Sequence, residues 1–164
     1  MAAAGLTPTR LARGYRRAGR TLAAELPWVL TLTDEQRALF RERGHVLAGS
    51  LVQHLDATSP EQTAHHLKEA STAAAAYGRA AAELGLSLSQ TVEGFLRFRA
   101  PFHHELAAAA RRRGFDGTES TELLETAERA MDRLLVATMT GHSLATGRAG
   151  ARKPGSRASA AADS

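Results

Sequence analysis

Three short signals cut this chain into long helices. Thr33-Asp34-Glu35-Gln36, Ser59-Pro60-Glu61-Gln62 and Ser87-Leu88-Ser89-Gln90 each set a hydroxyl residue three positions before a glutamine. In that arrangement the hydroxyl and the amide satisfy backbone donors of the first helical turn reciprocally. Behind each signal, apolar residues recur at steps of three or four, the period of one helical face. The pattern predicts a helix over 34–56 with Leu39, Phe40, Leu47, Leu51 and Leu55 inward. A second, over 60–84, turns Leu67, Ala70, Ala74, Tyr77, Ala81 and Leu84 inward; a third, over 88–113, carries Leu88, Val92, Phe95, Arg99, Phe102 and Leu106. Gly85 and Gly114 stand where left-handed helix stops are expected.

Two further helices complete the pattern. Residues 9–26, entered through Thr7-Pro8-Thr9, align Leu11, Tyr15, Ala18, Leu22 and Leu26 until Pro27 stops them. Trp28-Val29-Leu30 reads as an apolar connector tucked onto the bundle. The last helix, over 119–144, opens in the acidic run Glu119, Glu122, Glu125, which suits the positive end of the helix dipole. Its inward stripe is Leu124, Ala127, Met131, Leu134, Leu135, Thr138 and His142. Pro101 inside 88–113 removes a hydrogen bond and is expected to kink that helix. Among the interior glycines, Gly78 and Gly94 are the expected points of close helix approach. No segment alternates in the manner of a strand, and the loops are short. The predicted fold is all-α: a single bundle of about five main helices. A disordered start covers 1–8, the helical domain 9–146, and a flexible basic tail or linker 147–164.

Composition removes several functions. There is no cysteine, which excludes disulfide scaffolds and thiolate chemistry. No apolar run approaches a membrane span and no signal peptide is visible, so a cytoplasmic location without membrane contact is expected. Phosphate-cradling glycine loops, paired-histidine zinc helices and nucleophile elbows are all missing, and the chain is expected to be neither an enzyme nor a carrier of a cofactor or metal. The basic charge gathers at the ends: Arg10, Arg13, Arg16, Arg17 and Arg20 near the start, Arg148, Arg152, Lys153 and Arg157 near the finish. Such ends solubilise a mildly acidic body or bind nucleic acid. Glu61, His65 and Glu69 share one helix face and read as a solvated surface, while His66 or His104 could each supply the single axial ligand of a haem sensor. Arg99 interrupts an apolar stripe. It either snorkels to water or, buried, pairs with a carboxylate or an anionic ligand. With Tyr77, Phe95 and Phe102 it forms the candidate ligand-binding set. Ala73, Ala76 and Ala80 line a second small-residue face, the candidate homodimer interface; the first or last helix is the alternative place for it.

One stretch also carries a resemblance. Tyr77-Gly78-Arg79-Ala80, Gly85-Leu86-Ser87-Leu88, Val92 and Phe95-Leu96-Arg97-Phe98-Arg99-Ala100-Pro101-Phe102 resemble the N-terminal helical sensor domain of the RsbR-type co-antagonist proteins of bacterial stressosomes. The resemblance covers about 30–145. It implies a globin-like or related bundle, usually without haem, that dimerises and passes a stress or regulatory signal to an output domain or protein partner. It supplies no catalytic residue. The leading expectation is a non-catalytic bacterial signalling or transcription-regulatory module. The alternatives are a nucleic-acid-binding helical regulator using the basic termini and a haem- or ligand-binding sensor.

Overall fold

A computed structural model of the chain describes residues 6, 10, 11, 13, 14, 16, 17 and 25–151. Among these residues there are four long α-helices, one 3₁₀ turn and no strand. The helices are α1 (Asp34–Asp56), α2 (Pro60–Glu83), α3 (Leu88–Arg112) and α4 (Gly117–Ala151), and the 3₁₀ turn spans Pro27–Thr31. Of the helix expected over 9–26, the described residues Arg10, Leu11, Arg13, Gly14, Arg16, Arg17 and Glu25 are helical. Its Thr7–Thr9 entry and the tail beyond Ala151 lie outside the described residues.

The capping signals act as the sequence suggests, with one variation and one addition. Thr33 and Ser87 make complete reciprocal boxes with Gln36 and Gln90. Ser59 accepts from the Gln62 amide, but the Gln62 side chain accepts from Thr58 N–H and Thr58 Oγ1 instead of from Ser59. A fourth box opens α4: Asp116 N–H donates to Glu119 and Glu119 N–H to Asp116, at 2.9 and 2.8 Å. This box sets the start of α4 two residues before the expected 119. At the other end α4 continues through Gly147 to Ala151, past the expected boundary, and is 35 residues long. Gly85 (φ 81°) and Gly114 (φ 72°) close α2 and α3 in left-handed geometry. In both, the next residue's N–H reaches back to the carbonyl of the helix's third-last residue, Leu86 to Ala81 and Phe115 to Ala110.

α2 lies between α1 and α4, with which it shares the two largest interfaces, and α3 packs on α4. The N-terminal segment runs antiparallel beside α3, because Gly14 abuts Glu105 while Glu25 pairs with Arg97 at 2.5 Å. Leu6 and Leu11 both enter the main core, so burial begins inside the stretch expected to be a loose start. That core is built on Leu47, Leu51, Phe95, Phe102, Leu106, Leu123, Met131 and Leu134. A smaller cluster of Leu32, Ala81 and Leu86 gathers Trp28, Phe40 and Leu84 at the other end. The connector Trp28-Val29-Leu30 is therefore docked through Trp28, while Leu30 stays exposed.

Two glycines set the spacing of α2 and α4. A Cβ on Gly78 would lie 1.9 Å from the Thr138 carbonyl oxygen, and one on Gly141 would lie 2.1 Å from that of Ala75. Neither obstacle is a flexible side chain, so the helices themselves would have to separate. Gly78→Ala is expected to cost about 3 kcal/mol, near the upper end of ordinary overpacking, and to lower the melting temperature by about 5–10 °C. Gly49, also helical, has nothing within 4 Å of a Cβ, and Gly49→Ala should stabilise by up to about 1 kcal/mol. Thermal unfolding of the two variants checks both signs.

Candidate functional site

Arg99, His103, Glu128 and Asp132 form a charged and polar group on the seam between α3 and α4. Arg99 donates through Nη2 to Glu128 Oε1 at 2.5 Å, and its Nη1 lies 3.8 Å from Asp132 Oδ1. Helical spacing sets Glu128 and Asp132 one turn apart on α4, so one guanidinium fork spans both. The Arg99 side chain is half-buried. Arg99 combines parts of the two sequence readings: it pairs with carboxylates, but at a partly exposed edge where Glu128 and Asp132 remain solvated. His103 follows one turn along α3. Its Nε2 is buried with no hydrogen-bond partner among the described residues.

These groups perturb one another. The Arg99 hydrogen bond and then its charge hold the Glu128 carboxyl below the usual carboxylate range, against a smaller opposing effect of desolvation. Desolvation and then the Arg99 charge push the His103 imidazole below its ordinary value, and Glu128 partly opposes this. The seam thus favours a neutral imidazole beside a closed ion pair.

Of the other members of the candidate ligand set, Phe95 and Phe102 lie on α3 about one turn to either side of Arg99, and Tyr77 lies on α2. Phe95 and Phe102 are core residues, linked through Phe98 by ring contacts of 5.9 and 6.5 Å. Tyr77 stands on α2, edge-on to Phe40 at 5.1 Å. Its hydroxyl approaches Gly94, where a Cβ would come within 3.2 Å of it. Burial raises the Tyr77 phenol far above its ordinary range, so it stays neutral. Periodicity placed these four residues on inward faces; Tyr77, Phe95 and Phe102 are buried there and Arg99 is half-buried.

The alanine face is also differently used. Ala80 is buried, Ala73 packs on the main core and Ala76 is half-buried. Ala73 and Ala80 thus serve contacts within the chain. Among the histidines, His142 donates from Nε2 to the Leu86 carbonyl at 2.7 Å, pinning the α2–α3 loop to α4. His54 Nδ1 meets the Thr63 carbonyl at 3.0 Å, and His104 is exposed. His65 and His66 both face Glu69, at 3.4 and 3.0 Å. Arg13, Arg16 and Arg17 are exposed on helical residues of the basic N-terminal segment. No described helix is long and apolar enough to cross a membrane.

Comparison of the chain with protein-family models, curated proteins and solved structures gives no match.

The seam predicts an acid response in two stages. Because the folded state binds a proton on His103 more weakly than the unfolded chain does, stability falls as pH drops below the ordinary 6.5. The Glu128 contribution is present above the ordinary 4.5 and is lost as pH falls through its depressed folded value. Melting temperatures measured from pH 8 to 3 should therefore decline in an upper and a lower limb. His103→Gln should shrink the upper limb and Glu128→Gln the lower. A His103→Gln profile superimposable on the parent curve would remove His103 from this role.

Proposed function

We propose that this chain is a non-catalytic regulatory module that dimerises through the outward face of α4 and hands a signal to an output domain or partner protein. The observation that supports this reading is the surface of α4. Between Arg133 and Arg148 the helix carries no charged side chain. One side of that stretch is occupied by burial of Leu134, Thr138, Gly141 and His142. The opposite side leaves Val136 62%, Leu144 60% and Met139 36% exposed, interleaved with Thr140, Ser143 and Gly147. At about 1.5 Å per residue, α4 is about 50 Å long against about 35–38 Å for its neighbours. It has the length to run past them. An uncharged stripe of large and small residues on such a helix suits pairing with its own copy, in the geometry of two close-packed helices.

The resemblance to stressosome-type sensor domains agrees with this reading, since it implies a dimer that signals to an attached output. The dimer is placed on the last helix, not on Ala73, Ala76 and Ala80. The alternative of nucleic-acid binding keeps one supporting observation, the exposed arginines of the N-terminal segment, and it requires a steep loss of affinity for duplex DNA as salt rises.

One experiment addresses pairing and output together. A DNA-binding domain that occupies its operator only as a dimer is joined after Ala151, and repression of a reporter is measured alongside sedimentation of the chain itself. The expected result is a species of twice 17.4 kDa and repression, both lost in Val136→Glu/Leu144→Glu with helicity retained. A monomer at micromolar concentration, or a dimer indifferent to both substitutions, overturns the assignment.

A further inference from the structure

We propose that His65, His66 and Glu69, on the outer face of the first half of α2, bind a borderline divalent transition-metal ion such as Zn²⁺ or Ni²⁺. Adjacent histidines on a helix project about 100° apart, which by itself argues against a shared ligand. Glu69 changes that geometry. It lies four residues after His65 and three after His66, and its azimuth falls between theirs. The structure bears this out: His65 Nε2 lies 3.4 Å from Glu69 Oε1, and His66 Nδ1 lies 3.0 Å from Glu69 Oε2. One donor atom from each residue can be chosen so that all three lie within 4.8 Å of one another.

Those separations are close to what a metal requires. Zinc–nitrogen and zinc–oxygen bonds of about 2.0–2.2 Å set the donors of a tetrahedral site about 3.4 Å apart. The His65 separation, to Oε1, equals that value and the His66 separation, to Oε2, is 0.4 Å shorter; small side-chain rotations that bring both rings to one carboxylate oxygen complete the set, whose donors already lie within 4.8 Å of one another. His65 and Glu69 are exposed, with His66 more enclosed, so the required rotation disturbs no core packing. In the metal-free cluster, a neutral ring bonded to Glu69 carries its hydrogen on the nitrogen facing the carboxylate. Metal binding moves each ring to its other tautomer and puts the ion where those hydrogens were. Glu69 offsets part of the ionic charge, and water fills the position that three protein ligands leave open. A mixed imidazole and carboxylate set favours Zn²⁺, Ni²⁺ or Cu²⁺ over Mg²⁺ and Ca²⁺.

The site is independent of the proposed dimer, since it uses one helix of one chain. The test is titration of the full chain with Zn²⁺ and with Ni²⁺ against a chromophoric chelator, with Mg²⁺ in parallel. One equivalent should bind with micromolar affinity and raise the melting temperature, and Mg²⁺ should do neither. His65→Ala and Glu69→Gln should each weaken binding by at least the about 10–100-fold that losing even a supporting partner of a metal ligand costs. His104→Ala, which alters the other adjacent pair, should leave affinity unchanged. Because His65 and Glu69 are exposed, both variants are expected to keep the parent's circular dichroism, and His66→Gln gives a third measure. Failure of the parent chain to bind one equivalent overturns the proposal. So does binding that survives His65→Ala and Glu69→Gln, or that His104→Ala abolishes.

Discussion

The backbone contact between α2 and α4 at Gly78 and Gly141 is the constraint around which the other helices are arranged. Each glycine faces a carbonyl of the opposite helix, Thr138 and Ala75 respectively, at a distance no side chain could occupy. At that spacing the glycine Cα hydrogens serve as weak donors to the facing carbonyls, a recurring feature of close helix pairs. Close approach also dictates what can lie along the crossing. On α2 the buried positions are Ala70, Ala74, Ala80 and Ala81, with Tyr77 as the one large exception. Bulk must then come from elsewhere, and it does: Leu47 and Leu51 from α1, Phe95, Phe102 and Leu106 from α3. A chain that is only 5% aromatic can close its core because two of its helices nearly touch.

The same contact divides the interior. On one side is the main core; on the other, Tyr77, Phe40, Trp28 and Gly94 form a polar-edged cluster. Trp28 Nε1 donates to Glu93 at 3.0 Å, and His142 holds the Leu86 carbonyl from within α4. Gly94 lies where Tyr77 and Trp28 converge. A side chain there would press on the Tyr77 hydroxyl and on the Trp28 ring, so its absence lets the 3₁₀ turn lie flat against α3.

How much of this is legible in the sequence depends on whether the determinant is local. Thr33, Ser59 and Ser87 announce the starts of α1, α2 and α3 because a cap and its partner lie three residues apart. Asp116 and Glu119 have the same spacing, and an Asp-x-x-Glu reading would have found the start of α4. Gly78 stands out as an interior glycine in a strong apolar stripe, whereas Gly141 sits in an uncharged run where nothing marks it. Long-range pairing is less accessible. Arg99 is recognisable as an anomaly in its stripe, but Glu128 lies 29 positions away among many exposed acids, and only the packing of α3 on α4 selects it. Tyr77 and Phe95 show the same limit: each is recognisable as inward on its own helix, but which neighbours it meets is set by how the helices pack. The His65, His66 and Glu69 cluster is local and follows from helical azimuth once His66 is considered together with Glu69.

Mechanically, α4 is the element on which these features meet. Its first half carries Glu128 and Asp132 against Arg99, and its second half turns Thr138 and Gly141 to α2 while presenting Val136, Met139 and Leu144 on the opposite side of the same stretch. The two attachments differ in kind. The glycine contact is backbone against backbone and has no slack, whereas the Arg99 pair joins flexible side chains whose partners remain largely solvated. A perturbation at the seam, such as a charge gained by His103, therefore loosens α4 from α3 before it loosens α4 from α2. With α2 as the fixed support, α4 is held most firmly between Thr138 and Gly141, and its first half is tied to α3 through side chains. In the proposed role, the second copy would pair on the back of this anchored stretch, where Val136, Met139 and Leu144 are exposed, so the dimer would form on the most firmly held part of α4.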